Sequence, residues 1–296
     1  MIADLARILL DVVTPVAICA AIGFGWARMK QPFDSQMVTR LVSNVGVPSL
    51  VFTTLVNVDL GGGLFLEMAL AAFVTSVFFF AIGWAILKAT GMSVRTYLNP
   101  IAFANTGNMG LPLCLLAFGE EGLALGIAYF VVNVILLLTV GIAVASNEYN
   151  FKDVIKRPFI YAVLAATAFH AADAEVPKAI LSTTKLLGDF SIPLMLITLG
   201  YSLATLQIVS IKRAAFISFC RLGIGIPVGF GSAVLFGFSG AAYGTLVLMC
   251  SMPVAVITFL FAENYGADGK AVAGAVIIST LASFAIMPGL LWVLMG

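Results

Sequence analysis

The sequence predicts an all-α integral membrane protein: ten transmembrane helices in two inverted five-helix repeats, with helices 4 and 9 broken. Three observations predict it. Hydrophobic residues make up 61% of the 296 residues and charged ones only 10%, against about 45–50% and about 25% in soluble domains. Apolar runs long enough to span a bilayer recur along the whole chain. Prolines recur at a nearly constant offset between its two halves.

The spans fall at 5–27, 35–57, 64–88, 98–119, 122–146, 157–173, 181–206, 214–236, 241–263 and 271–295. The first reads as a retained helix, because Asp4 and Asp11 stand where a signal peptide would be basic and Pro15 interrupts its apolar run. Cys19, Cys114, Cys220 and Cys250 all lie within spans and in no metal-ligand spacing, so they read as small packing residues. No cofactor is implied. The net charge of +1 gives no footprint for nucleic acid.

Basic residues orient the chain, because Lys and Arg flanking the spans stay on the cytoplasmic side. Arg28, Lys30, Lys88, Arg95, Lys152, Lys156, Arg157, Lys212, Arg213 and Lys270 fall in alternate connections, while the other side has only Arg7, Lys178 and, near a helix start, Lys185, and is made acidic by Asp59, Glu67, Glu120, Glu121, Asp173 and Glu175. Both termini are therefore expected outside the cytoplasm.

The repeat shows in paired prolines. Pro15 and Pro158 are 143 residues apart, Pro48 and Pro193 145, and Pro112 and Pro253 141. An odd number of spans per half puts the second half, 149–296, upside down relative to the first, 1–148. Two of these prolines lie in breaks. Asn105-Thr106-Gly107-Asn108-Met109-Gly110-Leu111-Pro112 interrupts span 4, and Cys250-Ser251-Met252-Pro253 interrupts span 9. Backbone left unpaired in hydrocarbon is tolerated only where it is buried or lines a cavity, and paired broken helices point to the binding site of a secondary carrier.

These residues resemble a family. Asn105-Thr106 with Met109-Gly110-Leu111-Pro112-Leu113 is similar to the fourth-helix signature of the auxin efflux carriers, a family with plant PIN proteins and bacterial malate and malonate permeases. Met252 to Phe259 with Ala262 to Gly266 resembles its ninth helix, and Ser279-Thr280-Leu281-Ala282-Ser283 with Pro288 its tenth. The resemblance implies a fold akin to bile-acid symporters and NhaA-type antiporters. Helices 1, 2, 6 and 7 would form a scaffold, often dimeric, and helices 3–5 and 8–10 a moving core with crossing helices 4 and 9. Only about Asn147 to Lys156 joins the halves, without the long loop of the plant branch. The compact form implies a bacterial inner-membrane carrier of a small organic anion, a carboxylate or dicarboxylate, with an auxin-like acid also in range.

The physics of the break fits an anion. The N-terminus of a half-helix carries partial positive charge and free N–H groups. Gly107 and Gly110 would permit irregular backbone, Pro112 has no N–H to leave unpaired, and Asn105, Asn108 and Thr106 offer polar groups. Ser251, with Pro253, is the polar group of the second break. The competing reading is a kinked helix whose amides bond neighbouring helices.

In spans 2 and 7, Pro48 and Pro193 would free the carbonyls of Asn44 and Asp189. Asp189 is a candidate to carry a coupling proton, against a structural i,i+4 ion pair with Lys185. Arg40 and Lys185 would draw anions inward or snorkel to the membrane surface. Arg221 would balance substrate charge, snorkel to the membrane surface or pair with a carbonyl. Asn133 reads as an interhelical hydrogen bond, Glu263 as solvated and His170 as interfacial. Sodium coupling would need a cage of oxygens that no acid cluster offers. A lone His and no paired acids leave little for an enzyme. A sensor on a carrier fold and an anion channel are the alternatives to transport by alternating access.

Overall fold

A computed structural model describes residues 9–58, 63–146 and 155–295. Among them every regular element is helical: α1 (Thr14–Arg28), α2 (Ser35–Leu41), α3 (Val47–Asn57), α4 (Leu64–Thr90), α5 (Val94–Ala102), α6 (Leu111–Leu136), α7 (Ile142–Ser146), α8 (Pro158–Ala171), α9 (Lys178–Thr205), α10 (Ile211–Leu235), α11 (Gly240–Cys250), α12 (Val256–Asn264) and α13 (Gly269–Met295). Wider π turns cover Leu9–Val13, Val42–Gly46, Thr106–Gly110 and Leu137–Gly141. Six runs are long and apolar enough to cross a membrane: Leu10–Arg28, Leu64–Thr90, Thr106–Ser146, Lys178–Thr205, Ile211–Leu235 and Gly269–Met295. Pro158–Ala171 and Gly240–Cys250 are shorter apolar helices. The chain is an integral membrane protein. Asp4, Asp59 and Lys152 lie outside the described residues.

Three of the four π turns have one cause. Each ends two residues before a proline, at Pro15, Pro48 and Pro112. A proline ring collides with the carbonyl four residues back and cannot donate to it. The turn widens to an i→i−5 closure, as in Val47 N–H to Val42 and Leu111 N–H to Thr106, and the conflict is relieved. The proline matched to Pro48 behaves differently: Pro193 lies inside a continuous helix, so no π turn at Asp189 parallels the one that holds Asn44.

Helix ends follow the usual rules. Asp34 accepts from the N–H of Gln36 and Met37 to start α2. At the end of α4, Gly91 takes φ 68° and the N–H of Met92 reaches back to Leu87. Gly119, at φ 65° and ψ −158°, interrupts α6 beside Glu120 and Glu121. Lys88 lies over Trp84 and Arg28 over Phe24, at 5.8 and 5.2 Å from the ring centres, anchoring two helix ends.

The helices pack in two groups. In one, α9 packs on α1 and α3, and α8 on α3. Small residues set that contact: a Cβ at Gly23 would strike the Ile197 carbonyl, and one at Gly200 the Ala20 carbonyl. Gly188 faces the Leu50 backbone, and Thr53 donates to Thr184 at 2.7 Å. In the other group α10 packs on α11 and α13, α4 on α5 and α6, and α6 on α11. The π turn Thr106–Gly110 meets α9 where the groups join. On α4, Leu66, Leu70, Phe73 and Val77 form an exposed apolar stripe suited to lipid.

Candidate functional site

The two broken helices meet back to back. After α5 ends at Ala102 the chain runs extended through Phe103 and Ala104, and after α11 ends at Cys250 it runs irregular to Ala255. Ala104 and Val254 form an antiparallel bridge. The Asn105 N–H donates to the Pro253 carbonyl at 2.8 Å, and the Ala255 N–H to the Phe103 carbonyl at 3.1 Å. Val254 N–H donates to Ser279 Oγ at 3.0 Å. Pro253 has no N–H. Each break thus supplies the partners the other lacks, the accounting that buried backbone requires.

The carbonyl ends of both half-helices converge on Arg221 of α10. Its Nη1 donates to Ile101 at 2.9 Å and Ala102 at 3.2 Å, its Nε to Met252 at 3.1 Å, and its Nη2 to Cys250. The guanidinium also lies 4.1 Å from the centre of the Phe79 ring, and the side chain is 0% exposed. Pairing with carbonyls, one of the roles the sequence allowed, is what the geometry shows.

The N–H ends are left open. The N–H groups of Gly107, Asn108 and Met109 donate to nothing among the described residues, and neither do those of Val256 and Ile257. Asn105, 5% exposed, has an Nδ2 without a partner. Asn108 is half-buried, and Thr106 donates to Asn133 Oδ1 at 3.4 Å. That last bond makes Asn133 a support of the break as well as an interhelical link. Ser251 is turned back onto Val247 at 2.7 Å and Thr258 onto Ala255 at 2.7 Å, so neither hydroxyl is aimed outward as a donor.

Two glycines act differently from the sequence expectation. Neither Gly107 nor Gly110 has positive φ. What they permit is close approach, since a Cβ at Gly110 would lie 2.7 Å from Met249 Sδ and one at Gly107 3.2 Å from Phe130 Cε2.

The remaining candidates lie on other elements. Arg40 and Asn44 are exposed on α2 and its π turn. Lys185 and Asp189 form the i,i+4 ion pair at 3.2 Å, with side chains 57% and 59% exposed. They share α9 with the residues that border the Thr106–Gly110 turn. Glu263 is exposed, and His170 bonds the Leu55 carbonyl through Nε2 at 2.7 Å beside a cavity of about 150 Å³ at the end of α8. No cluster of His, Cys, Asp and Glu suited to a metal exists among the described residues.

Two supports escaped sequence reasoning. Ser279 pins Val254, and Asn99 donates through Nδ2 to the Gly141 carbonyl at 2.7 Å while its Oδ1 is buried without a partner. Ser279 follows Asn133 by 146 residues, close to the 141 to 145 that separate the paired prolines.

The described residues thus form an all-helical membrane chain in which two helix breaks meet. The chain is a member of the membrane transport protein family (Mem_trans), whose model matches residues 8–151 and 142–293. The resemblance to auxin efflux carriers therefore holds. An uncharacterized transporter of Methanothermobacter thermautotrophicus is 28% identical over 272 residues, 88% of each chain. An uncharacterized transporter of Methanocaldococcus jannaschii is 24% identical over 306 residues, covering 97% of this chain and 99% of the other.

Proposed function

We propose that the protein is a secondary carrier that moves a small organic anion by alternating access, binding it at the N–H ends of the paired breaks. The observation that carries this is the set of unpaired donors: Asn105 Nδ2, buried without a partner, beside the free N–H groups of Gly107, Asn108 and Met109. A buried donor without an acceptor costs about 1–3 kcal/mol. A carboxylate supplies the missing acceptors. Asn105, Asn108 and Thr106 are the ligand-facing side chains of this reading, with Pro112 and Pro253 shaping the breaks and Ser251 as a wall.

In this reading α1–α3, α8 and α9 form the scaffold, and α4–α7 with α10–α13 form the core that moves against it. The halves 1–148 and 149–296 are inverted repeats, and α5–α6 and α11–α12 are the crossing helices. The scaffold faces a second copy of the chain. The two packing groups and the meeting of the Thr106–Gly110 turn with α9 support the division. Lipid surrounds both.

Counterflow of labelled monocarboxylates and dicarboxylates in proteoliposomes tests the function. Saturable exchange of one acid, competed by others, is expected. No exchange of any organic acid by folded protein would count against it. Orientation is tested by labelling cysteines placed at Arg157 and Glu121. The reading has position 157 label from the cytoplasm and 121 from outside, with both termini outside; labelling from one side would remove the inverted repeat.

In this reading Asp189, exposed and paired with Lys185, is a structural partner of that lysine. Asp189→Asn is expected to leave the pH dependence of counterflow as in the wild type. Loss of pH-driven accumulation with exchange intact would return that role to Asp189.

A further inference from the structure

Arg221 is the one Asp, Glu, Lys or Arg side chain buried among the described residues, and it touches none of the free N–H groups. A helix end carries about half an elementary charge, negative at the carbonyl end and positive at the N–H end. The carbonyl ends of α5 and α11 together present about one negative charge. One guanidinium, bonded to both, offsets it. At the N–H ends, before α6 and α12, no buried carboxylate among the described residues does the corresponding work.

We infer that Arg221 sets the charge that the paired breaks accept: by cancelling both carbonyl ends it leaves a surplus of one positive charge at the N–H ends, matched by a ligand with one negative charge. This rests on the anion reading above. Arg221 does not touch the ligand. It is a positioning residue that acts through the two half-helices and ties the first half of the chain, at Ile101 and Ala102, to the second, at Cys250 and Met252.

The physical consequences separate charge from shape. With a neutral side chain at 221, the carbonyl ends are no longer offset, and an anion at the breaks meets their opposing field in a region of low dielectric. The matching amide, neutral and of the same shape, feels little of the change. A dianion brings one charge more than the surplus, and an uncompensated buried charge is costly. Lysine restores the charge without the planar fork that spans both carbonyl sets. Its variant keeps the charge preference while holding the breaks less firmly.

The experiment is isothermal titration of the purified full chain with acetate, benzoate and phenylacetate, with their amides, and with malonate. For the wild type, at least one monocarboxylate is expected to bind about tenfold or more tighter than its amide. Malonate binding is expected to strengthen as pH falls through its second ionisation. In Arg221→Gln the advantage of carboxylate over amide falls about tenfold, while Arg221→Lys retains it at lower affinity. Should Arg221→Gln fail to fold, the Arg221→Lys comparison and the wild-type malonate series decide the matter. An unchanged carboxylate preference in folded Arg221→Gln, loss of that preference in folded Arg221→Lys, or tighter binding of fully ionised malonate than of its monoanion, overturns the inference and leaves the anion site standing. Failure of the wild type to bind any of these acids overturns the anion reading, and this inference with it.

Discussion

Gly200→Val is expected to abolish accumulation of folded protein. A Cβ at position 200 falls on the Ala20 backbone carbonyl, and the reciprocal contact runs from Gly23 to the Ile197 carbonyl. The obstacle on both sides is main chain inside a helix, which has no rotamer to move. Overpacking costs about 1–3 kcal/mol where side chains can shift, and more where they cannot. Two helices held at this distance by glycines must separate along much of their length. Gly25→Val, on the partner helix α1 with nothing within 4 Å of an added Cβ, is the control and is expected to fold normally. Size-exclusion profiles and melting curves of the two variants make the comparison. A monodisperse Gly200→Val protein melting like Gly25→Val would mean that α1 and α9 are not held by this contact.

Asn105→Ala and Asn108→Ala carry the second large effect. Each removes a donor from the N–H end of the first break. Losing one hydrogen bond to a charged ligand costs about 1.5–3 kcal/mol, roughly a tenfold to hundredfold loss of affinity. The two positions differ in their secondary effects. Asn105 Nδ2 has no partner in the unliganded protein, so its removal relieves a buried unpaired donor and Asn105→Ala is expected to be as stable as the wild type or more so. Weaker binding combined with unchanged or higher stability is the signature of a group placed for a ligand. A residue that only holds helices together shows the reverse.

Much of this could be read before the structure because it lies in residue types and spacing. Ala104 and Val254 pair beside the two proline-centred motifs, and the helix is interrupted at Phe103 to Asn105, while Thr106–Gly110 of the predicted break forms a π turn that runs into α6. The widened turns before Pro15, Pro48 and Pro112 follow from a ring that cannot donate, although their π form was not anticipated. What could not be read depends on distance across the chain. Arg221 reaches the carbonyl ends of two helices that begin 127 residues before it and 19 after it in sequence, and no local pattern marks a side chain as filling both. Gly107 and Gly110 were expected to permit irregular backbone; that they are also points of close contact, with Phe130 and Met249, is a tertiary fact. Asp189 and Lys185 were legible as an i,i+4 pair, and the structure shows that pair at 3.2 Å.

The central claim is that an organic anion binds at the N–H ends of the paired breaks. The most direct measurement is equilibrium binding of a transported organic acid, identified by counterflow, to purified Asn105→Ala/Asn108→Ala protein whose melting curve matches the wild type. The account predicts affinity lowered by at least about tenfold, with fold and melting temperature retained. A folded double variant that binds the acid with wild-type affinity would contradict it, and the site would have to be sought on the α2 and α9 faces that carry Asn44 and Asp189.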